Sequence, residues 1–387
     1  MLTKAENDLL TQTDPGTPCG QLLRSYWQPA ALSEELPPGG SPIPVRLLGE
    51  DLVLFKDKSG NVGLIADHCA HRGASLLYGR VEERGIACAY HGWLYNTAGS
   101  CLECPAEPAG SMFHLTVKMA AYPVRKHIGL YWAYLGPQPA PEIPHYDVWS
   151  RQDGYRTIDL YPQLDASWVQ AMENSLDPAH LMILHQELAF GKRTPPNTTR
   201  GFTDDVASFD FSEVPFGIMK NRAYVNGKVE HHPILFPNIL RQGDATQIRV
   251  AMDDTHTMIY FVHFKPGQPP AGYSDDDPPV EYIEHFKDPV DKIHPFTRMR
   301  MDMVLAQDHM AWETQGPIAD RVHERLATSD RGVVMYRQIL FREMEKVQRG
   351  EDPIAVVRDP GHSIIDTNLQ ESLEMQGAVP PEFATRA

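Results

Sequence analysis

The feature that most constrains this chain is the segment CAHRGASLLYGRVEERGIACAYH at residues 69–91. Cys69 and His71 stand two positions apart in it, and Cys88 and His91 stand three positions apart. Thiolates and imidazoles are preferred ligands of transition metals, so four of them in one short segment predict a metal centre. The two halves of the segment are then expected to fold as loops that bring these side chains together.

Each half carries one cysteine and one histidine, and this mixing indicates the kind of metal centre. A zinc finger with two cysteines and two histidines pairs Cys with Cys and His with His. A Rieske centre binds one iron through two thiolates and a second iron through two imidazoles. If the two loops face each other, mixed halves favour such a [2Fe-2S] cluster, and a zinc site is the alternative. Gly73 and Gly92 allow the tight turns that are needed, and Tyr90 and Trp93 are candidates to shield the cluster.

The overall charge and the N-terminus exclude several classes of protein. The chain has 35 basic and 51 acidic residues, a formal net charge of -16. Nucleic-acid binding needs a basic face, so we expect no nucleic-acid partner. The start MLTKAENDLL lacks the basic residues and apolar run of a signal peptide, and no apolar run is long enough to span a bilayer. We therefore expect a cytoplasmic protein without a membrane partner.

Two further cysteines, Cys101 and Cys104, form a C-x2-C pair just after the metal-binding segment. An odd number of cysteines in a long chain does not indicate a disulfide framework. A second half-site for zinc does not follow in the sequence, and a Rieske cluster takes four ligands. We interpret the pair as ordinary thiols of the loop or core.

The chain has 387 residues, a length that suggests two or three domains. The pattern of apolar residues and turn signals changes twice along it. Residues 1–42 read as a helical segment expected to pack on the catalytic domain. Residues 43–148 show short apolar runs separated by turn signals and predict an all-β domain. Residues 149–387 mix strand patterns with long helical patterns. The predicted fold class is α+β, with an antiparallel sheet and long helices in the second domain.

A second group of candidate ligands lies in NSLDPAHLMILH, which contains Asn174, Asp177, His180 and His185. Two imidazoles and one carboxylate can bind Fe(II) on one face and leave positions open for O2. The two histidines are five residues apart, and an ideal helix would turn them away from each other. A bend or a π-bulge is therefore expected between them.

The carboxylate of this second site must come from elsewhere in the chain. Asp308, in LAQDHMAWETQG, is one candidate. Asp302, Asp320 and Glu187 are the others, and spacing does not decide between them.

Together the two groups resemble the oxygenase subunits of Rieske non-haem iron oxygenases, through the motifs CAH–x15–ACAYHGW and NSLDPAHLMILH. The resemblance extends over nearly the whole chain and is greatest to the phthalate dioxygenase-like group, which includes aromatic O-demethylases. The segments LTQTDPGTPCGQLLRSYWQPAALSEELP, FPNILRQG, DDTHT and QDHMAWETQGPIADR also look like that group. It implies a Rieske β domain followed by a helix-grip catalytic domain.

The resemblance implies a role for each matching residue. The implied ligands are Cys69, His71, Cys88 and His91 for the cluster and His180, His185 and Asp308 for the mononuclear Fe(II). Asp177 would bridge His91 of one subunit and His180 of the next in a homotrimer, although Asp before Pro is also a common helix start. Asn174 would support the iron site through a hydrogen bond.

The implied function is that of a terminal oxygenase that uses O2 and receives electrons from a reductase of the flavin and ferredoxin type. Its substrate would be an aromatic compound. Ring hydroxylation is the expected reaction, oxidative O- or N-dealkylation is the alternative, and an electron-transfer Rieske protein is a remote one. An Arg clamp would suit a carboxylate substrate. The basic candidates are Lys192, Arg193, Arg200, Arg241 and Arg249. For each of them the alternative is an ordinary surface or structural cation.

Overall fold

The computed structural model describes residues 2–37, 39–185, 206–284, 286–288 and 298–367. These residues form two compact units, of which the smaller comprises residues 24–141 and 270–279. The larger unit comprises the described residues within 1–23, 142–269 and 280–387. The domain boundaries predicted after residues 42 and 148 stay a prediction.

The smaller unit is built from short antiparallel strands. They are β1 (Gln28–Leu32), β2 (Ile43–Leu47), β3 (Glu50–Lys56), β4 (Val62–Ala66), β5 (Arg80–Glu82), β6 (Gly85–Ala87), β7 (Leu94–Tyr95), β8 (Cys101–Glu103), β9 (Ala121–Tyr122), β10 (Val124–His127) and β11 (Leu130–Ala133). They pair in the orders β1-β11-β10, β2-β3-β4-β9 and β5-β6-β7-β8. The β3–β4 hairpin turns at Gly60, where φ is +90°, because glycine alone adopts such a conformation without strain.

The larger unit is organised around one twisted sheet. Its strands are β12 (Gly154–Leu160), β13 (Val206–Val214), β14 (Gly217–Tyr224), β15 (Val229–Leu235), β16 (Ile239–Gln242), β17 (Ala245–Ala251), β18 (Thr257–Pro266) and β19 (Val280–Tyr282), with a separate pair β20 (Lys287–Asp288) and β21 (Arg298–Met299). The large sheet has the order β13-β14-β15-β16-β17-β18-β12-β19. Neighbouring strands are antiparallel except β12 and β19. The residues of β17 are buried throughout, so this strand lies at the centre of the unit.

The helices of the described residues are mostly short. They are α1 (Lys4–Thr11), α2 (Pro18–Arg24), α3 (Asp147–Ser150), α4 (Trp168–Ser175), α5 (Pro178–Ile183), α6 (Val304–Glu313) and α7 (Arg331–Gln348). Helix α1 begins with a capping box, in which Thr3 and Glu6 satisfy each other's backbone N–H groups. The Asn7 amide joins α1 to the rest of the larger unit by donating to Ala319 O at 3.1 Å.

The predicted fold class is confirmed: an all-β unit accompanies a larger unit with an antiparallel sheet and helices. One of the long helical patterns, RMRMDMVLAQDHMAWETQG at residues 298–316, forms a helix only over Val304–Glu313, because Arg298–Met299 pairs as a strand and Met303 is extended. No helix in the described part of the chain combines the length and apolar character needed to cross a membrane.

Candidate metal centres

The two cysteine–histidine segments of the smaller unit fold into turns of the same size. The carbonyl of Cys69 accepts from the N–H of Gly73 at 2.8 Å, and the carbonyl of Cys88 accepts from the N–H of Gly92 at 2.9 Å. In both turns the cysteine N–H donates to the carbonyl five residues later, at 2.9 Å. Both glycines have φ of +73°, a conformation that disfavours a side chain. The two turns therefore have the same backbone hydrogen bonds and the same backbone conformation at their glycines.

Among the four candidate cluster ligands, the two thiols are buried and the two imidazole rings lie next to each other. Cys69 and Cys88 are each 3% exposed. Burial, together with the neighbouring Cys69 thiol, raises the pKa of Cys88. The rings of His71 and His91 lie 4.5 Å apart between centroids, and His71 is exposed. A pair of neighbouring thiols and a pair of neighbouring imidazoles agree with a Rieske cluster, in which each pair binds one iron.

Aromatic side chains surround this group unequally. Trp93 is buried and stacks on His71 with a centroid distance of 4.5 Å and an angle of 8°. Tyr90 contacts His91 at 3.8 Å but is 57% exposed, so it covers only one edge of that ring. The Tyr95 hydroxyl lies 3.2 Å from the Cys69 sulfur, within reach of a hydrogen bond to a cluster thiolate.

Cys101 and Cys104 lie in the hydrophobic core behind the cluster turns. Their sulfurs are 3.6 Å apart, and all five cysteines of the chain are free thiols. Burial raises the pKa of Cys101 to about 12, which keeps it protonated and unreactive. This placement agrees with the interpretation of the pair as core thiols.

The structure brings together His180, His185 and Asp308 in the larger unit. One ligand atom from each lies within 4.8 Å of the other two. His185 Nε2 is 3.0 Å from Asp308 Oδ1, and His180 Nε2 is 3.7 Å from the same oxygen. The two rings are nearly perpendicular, with centroids 5.3 Å apart. Two imidazoles and one carboxylate in this arrangement fit an Fe(II) site with open positions.

The bend expected between the two histidines is present: the helix ends before His185, and the chain bends at that residue. Helix α5 ends at Ile183, and Leu184 caps it by donating its N–H to His180 O at 2.7 Å. His185 lies beyond the helix, so the helical period does not govern its direction.

Gln307 fixes the orientation of the buried His185 ring. Its Nε2 donates to Met301 O at 2.7 Å, which leaves Gln307 Oε1 facing His185 Nδ1 at 2.7 Å. His185 Nδ1 therefore carries the proton, and in the neutral ring Nε2 is an acceptor facing the Asp308 carboxylate. Two acceptors at 3.0 Å require a cation or a proton between them. Burial alone would lower the pKa of His185, but Asp308 and Gln307 raise it.

Asp177 and Asn174 adjoin the same three residues. Asp177 Oδ1 caps helix α5, accepting from the N–H groups of Ala179 at 2.8 Å and His180 at 3.4 Å. Its other oxygen, Oδ2, lies 3.7 Å from His180 Nδ1, a buried nitrogen without a hydrogen-bond partner among the described residues. Asn174 Nδ2 lies 3.5 Å from Asp308 Oδ1, in position to donate a weak hydrogen bond.

The other candidate carboxylates lie away from the histidines. Asp302 is 69% exposed and pairs with Arg300, and Asp320 is 63% exposed and pairs with His323. Glu187 lies outside the described residues.

Of the basic candidates, Arg241 is buried and paired with Asp147 at 3.0 Å, a structural contact. Lys192, Arg193 and Arg200 lie outside the described residues. Arg249 lines a cavity beside the two histidines. The cavity also contains basic side chains that the sequence interpretation missed: Lys220, Arg222 and His232. The alternation of Lys220 and Arg222 along one strand pattern was the available signal.

Two family models match the chain. The Rieske [2Fe-2S] domain matches residues 26–123, and the LigXa C-terminal domain like family matches residues 290–370. The 5,5'-dehydrodivanillate O-demethylase oxygenase subunit of Sphingobium sp. is 40% identical over 372 residues, with 93% of this chain and 84% of that protein covered. The phthalate 4,5-dioxygenase oxygenase subunit of Pseudomonas putida is 34% identical, with 92% and 89% covered. The chain belongs to the Rieske oxygenase family.

Solved structures agree with the fold of this Rieske oxygenase subunit. NdmA of Pseudomonas putida CBB5 has a TM-score of 0.62 at 22% identity, covering 89% of this chain and 99% of that one. The terminal oxygenase of carbazole 1,9a-dioxygenase from Nocardioides aromaticivorans IC177 has a TM-score of 0.56 at 17% identity, covering 90% and 99%. At such identities the likeness concerns the fold.

Family membership decides between the alternatives that the sequence left open. The chain is the oxygenase component of a multicomponent system, so the electron-carrier alternative is excluded. The metal-binding segment of residues 69–91 lies inside the Rieske match, which favours the [2Fe-2S] cluster over zinc. The predicted cofactors, a Rieske cluster and a mononuclear iron, are confirmed for the family.

Proposed function

We propose that this terminal oxygenase oxidises an aromatic substrate at a mononuclear Fe(II) and that its reaction is O-demethylation of an aryl methyl ether. The proposed iron ligands are His180, His185 and Asp308. The proposed cluster ligands are Cys69, His71, Cys88 and His91. The observation that carries the proposal is the His185–Asp308 contact, where two acceptors face each other at 3.0 Å in a position that a cation would stabilise.

The family's iron, when bound, supplies O2 activation. The chain's own residues would position it. Gln307 holds the His185 ring, Asn174 lies against Asp308, and both contacts restrict how the ligands can turn. An open cavity adjoins these ligands, and both apolar and polar side chains line it.

The choice of O-demethylation rests on relatives. Among those described above, the more similar is named as an O-demethylase, at 40% identity over nearly the whole chain. The reaction would convert aryl–OCH3, O2, two electrons and two protons to aryl–OH, formaldehyde and water. The reductase would supply the electrons. Ring hydroxylation is the second candidate, because the 34% identical relative is a phthalate dioxygenase subunit.

We further propose a homotrimer in which Asp177 connects the two centres of neighbouring subunits. Asp177 Oδ2 already faces His180 Nδ1 at 3.7 Å, while Oδ1 serves as the helix cap. The same carboxylate would accept a hydrogen bond from His91 of the partner subunit. One side chain would then orient an imidazole of each centre.

The electron donor would be a reductase with flavin and ferredoxin-type centres, and the compartment would be the cytoplasm. Cys101 and Cys104 are free thiols although their sulfurs lie 3.6 Å apart. Unpaired thiols at this distance suit a reducing compartment.

The first experiment is to purify the chain under low oxygen and measure iron, zinc and acid-labile sulfide. About three irons and two sulfides per chain, with a Rieske-type EPR signal after reduction, are expected for the two centres. Turnover with a matching reductase is then tested on methoxybenzoates, with formaldehyde as the product that marks O-demethylation. A cis-diol or hydroxylated ring without formaldehyde would establish the second candidate, and zinc without sulfide would contradict both.

A further inference from the structure

One wall of the cavity beside the candidate iron ligands carries several basic side chains. Lys220 on β14 pairs in register with His232 on β15, and Arg222 pairs with Glu230. Residues two apart on a strand face the same side of a sheet. Lys220, Arg222 and His232 all line the cavity.

Only part of this positive charge is matched by a carboxylate. Arg222 donates through Nε to Glu230 at 2.9 Å and also through Nη2. The Lys220 ammonium donates to the neutral carbonyl of Ser175 at 2.6 Å, and in the described part of the chain its nitrogen has no carboxylate within 4.0 Å. An ammonium has three donors, so this bond leaves two for another acceptor.

His232 adds a polar atom that lacks a partner. Its Nε2 is buried, and it makes no hydrogen bond among the described residues. The closest carboxylate oxygen, on Glu230, is 3.6 Å away. A buried ring nitrogen without a partner is costly unless something in the cavity bonds to it.

Apolar side chains also line the cavity near the candidate ligands. Leu181, Leu240, Val304 and Leu305 line it together with His180 and other residues. The cavity therefore has apolar side chains suited to a ring and a basic wall suited to an anion.

Resting on the proposed function, we propose that Lys220, Arg222 and His232 form a subsite for a carboxylate on the aromatic ring of the substrate. The carboxylate would accept hydrogen bonds from Lys220 Nζ and from His232, and the positive charge of Arg222 would add to its attraction. The substrate class is then an aromatic acid.

The electrostatic state of Lys220 supports this arrangement. Burial, followed by the repulsion from Arg222, lowers the pKa of Lys220 to about 8. An anion that enters beside a buried cation of this kind stabilises the charged form of the cation. The alternative is that Lys220 serves only to bind the last carbonyl of helix α4, which is a common role for lysine.

The test compares binding of acids and their neutral amides by titration calorimetry on the iron-loaded protein. The probes are 3-methoxybenzoate and 4-methoxybenzoate with the corresponding benzamides. The wild type should bind an acid more tightly than its amide. Lys220→Met should weaken acid binding by about tenfold to a hundredfold, the range for a charge-assisted hydrogen bond, with little change for the amide. Lys220→Arg should restore much of the preference.

Lys265→Met is the matched control, because Lys265 is an exposed lysine on β18 of the same sheet. His232→Asn carries the same test if Lys220→Met does not fold. Equal weakening for acid and amide would assign Lys220 to the helix end alone, and no preference for acids in the wild type would also overturn the subsite. Since binding is measured without turnover, failure of O-demethylation remains a separate result.

Discussion

The two groups of candidate ligands are held in place by different parts of the protein. In the smaller unit, backbone hydrogen bonds shape two equal turns, and Gly73 and Gly92 allow their conformation. In the larger unit, side chains do this work: Gln307 holds His185, and Asn174 lies against Asp308. The first site depends on local chain geometry, and the second on contacts between distant residues. The two should therefore respond differently to single side-chain substitutions.

The largest expected effect follows from removing a ligand of the second site. Asp308→Ala should lose about one iron per chain and all turnover, because two imidazoles alone bind Fe(II) poorly. The visible spectrum of the cluster should remain, since its turns lie in the other unit. Metal analysis and absorption spectra measure both. Asp302→Ala is the control, and loss of iron in that variant with retention in Asp308→Ala would show that the carboxylate is misassigned.

A substitution at Asp177 tests the proposed connection between the two sites. Asp177→Asn should keep both metal centres, because asparagine caps a helix about as well as aspartate. Turnover should fall by about a hundredfold or more if the carboxylate orients both imidazoles. Iron content, thermal stability and single-turnover rates are to be compared. Normal turnover with intact metals would argue that Asp177 is a helix cap and no more.

Removing the group that orients His185 should weaken iron binding without abolishing it. Gln307→Leu leaves the buried His185 Nδ1 without its acceptor. Loss of a hydrogen-bond partner of a metal ligand typically lowers metal affinity by about tenfold to a hundredfold. Competition with a chelator measures the affinity. Gln315→Leu, just beyond the same helix and bonded only to the carbonyl of Ala311, should behave as wild type. Unchanged affinity in Gln307→Leu would mean that packing alone orients the ring.

The smallest effect is expected in the cluster turns. Tyr95→Phe removes the hydroxyl 3.2 Å from Cys69 Sγ and leaves the backbone of the turn intact. The cluster should stay bound, and its reduction potential should fall by about 50 mV, the size expected for one hydrogen bond of roughly 1 kcal/mol. Protein-film voltammetry measures this shift, with Tyr90→Phe as control. Loss of the cluster would show that side chains, too, are needed to hold this site.

One candidate site is built from two local turns and the other from distant side chains, and this difference also explains which ligands could be predicted from the sequence. The four candidate cluster ligands lie within residues 69–91, and two turns of the chain carry all of them. The second site could not be predicted from one segment, because His185 and the residue that orients it, Gln307, are 122 residues apart. Spacing left Asp308 among four carboxylates, and the resemblance to a family selected it. The end of helix α5 before His185 was not visible in the helical period.

The basic wall of the cavity was missed for a related reason. The segment GIMKNRAYV has a strand pattern, but the pattern does not indicate which strand pairs with it or in which register. Only the register places Lys220 opposite His232 and Arg222 opposite Glu230. A one-residue shift would turn those side chains to the other face of the sheet. Strand pairing of this kind depends on the whole sheet and cannot be derived from one segment.

The position of the cysteines and histidines in the smaller unit has a consequence for electron transfer through the proposed cluster. Cys69 and Cys88 are buried, whereas His71 is exposed and His91 is half-buried, so the proposed cluster would be reached from solvent through its histidines. Arriving and departing electrons would then use the same side of the unit. His71 and His91 are separate rings with centroids 4.5 Å apart. Each ring can serve as one terminal, so that a donor docked at one histidine leaves the other free to pass its charge onward.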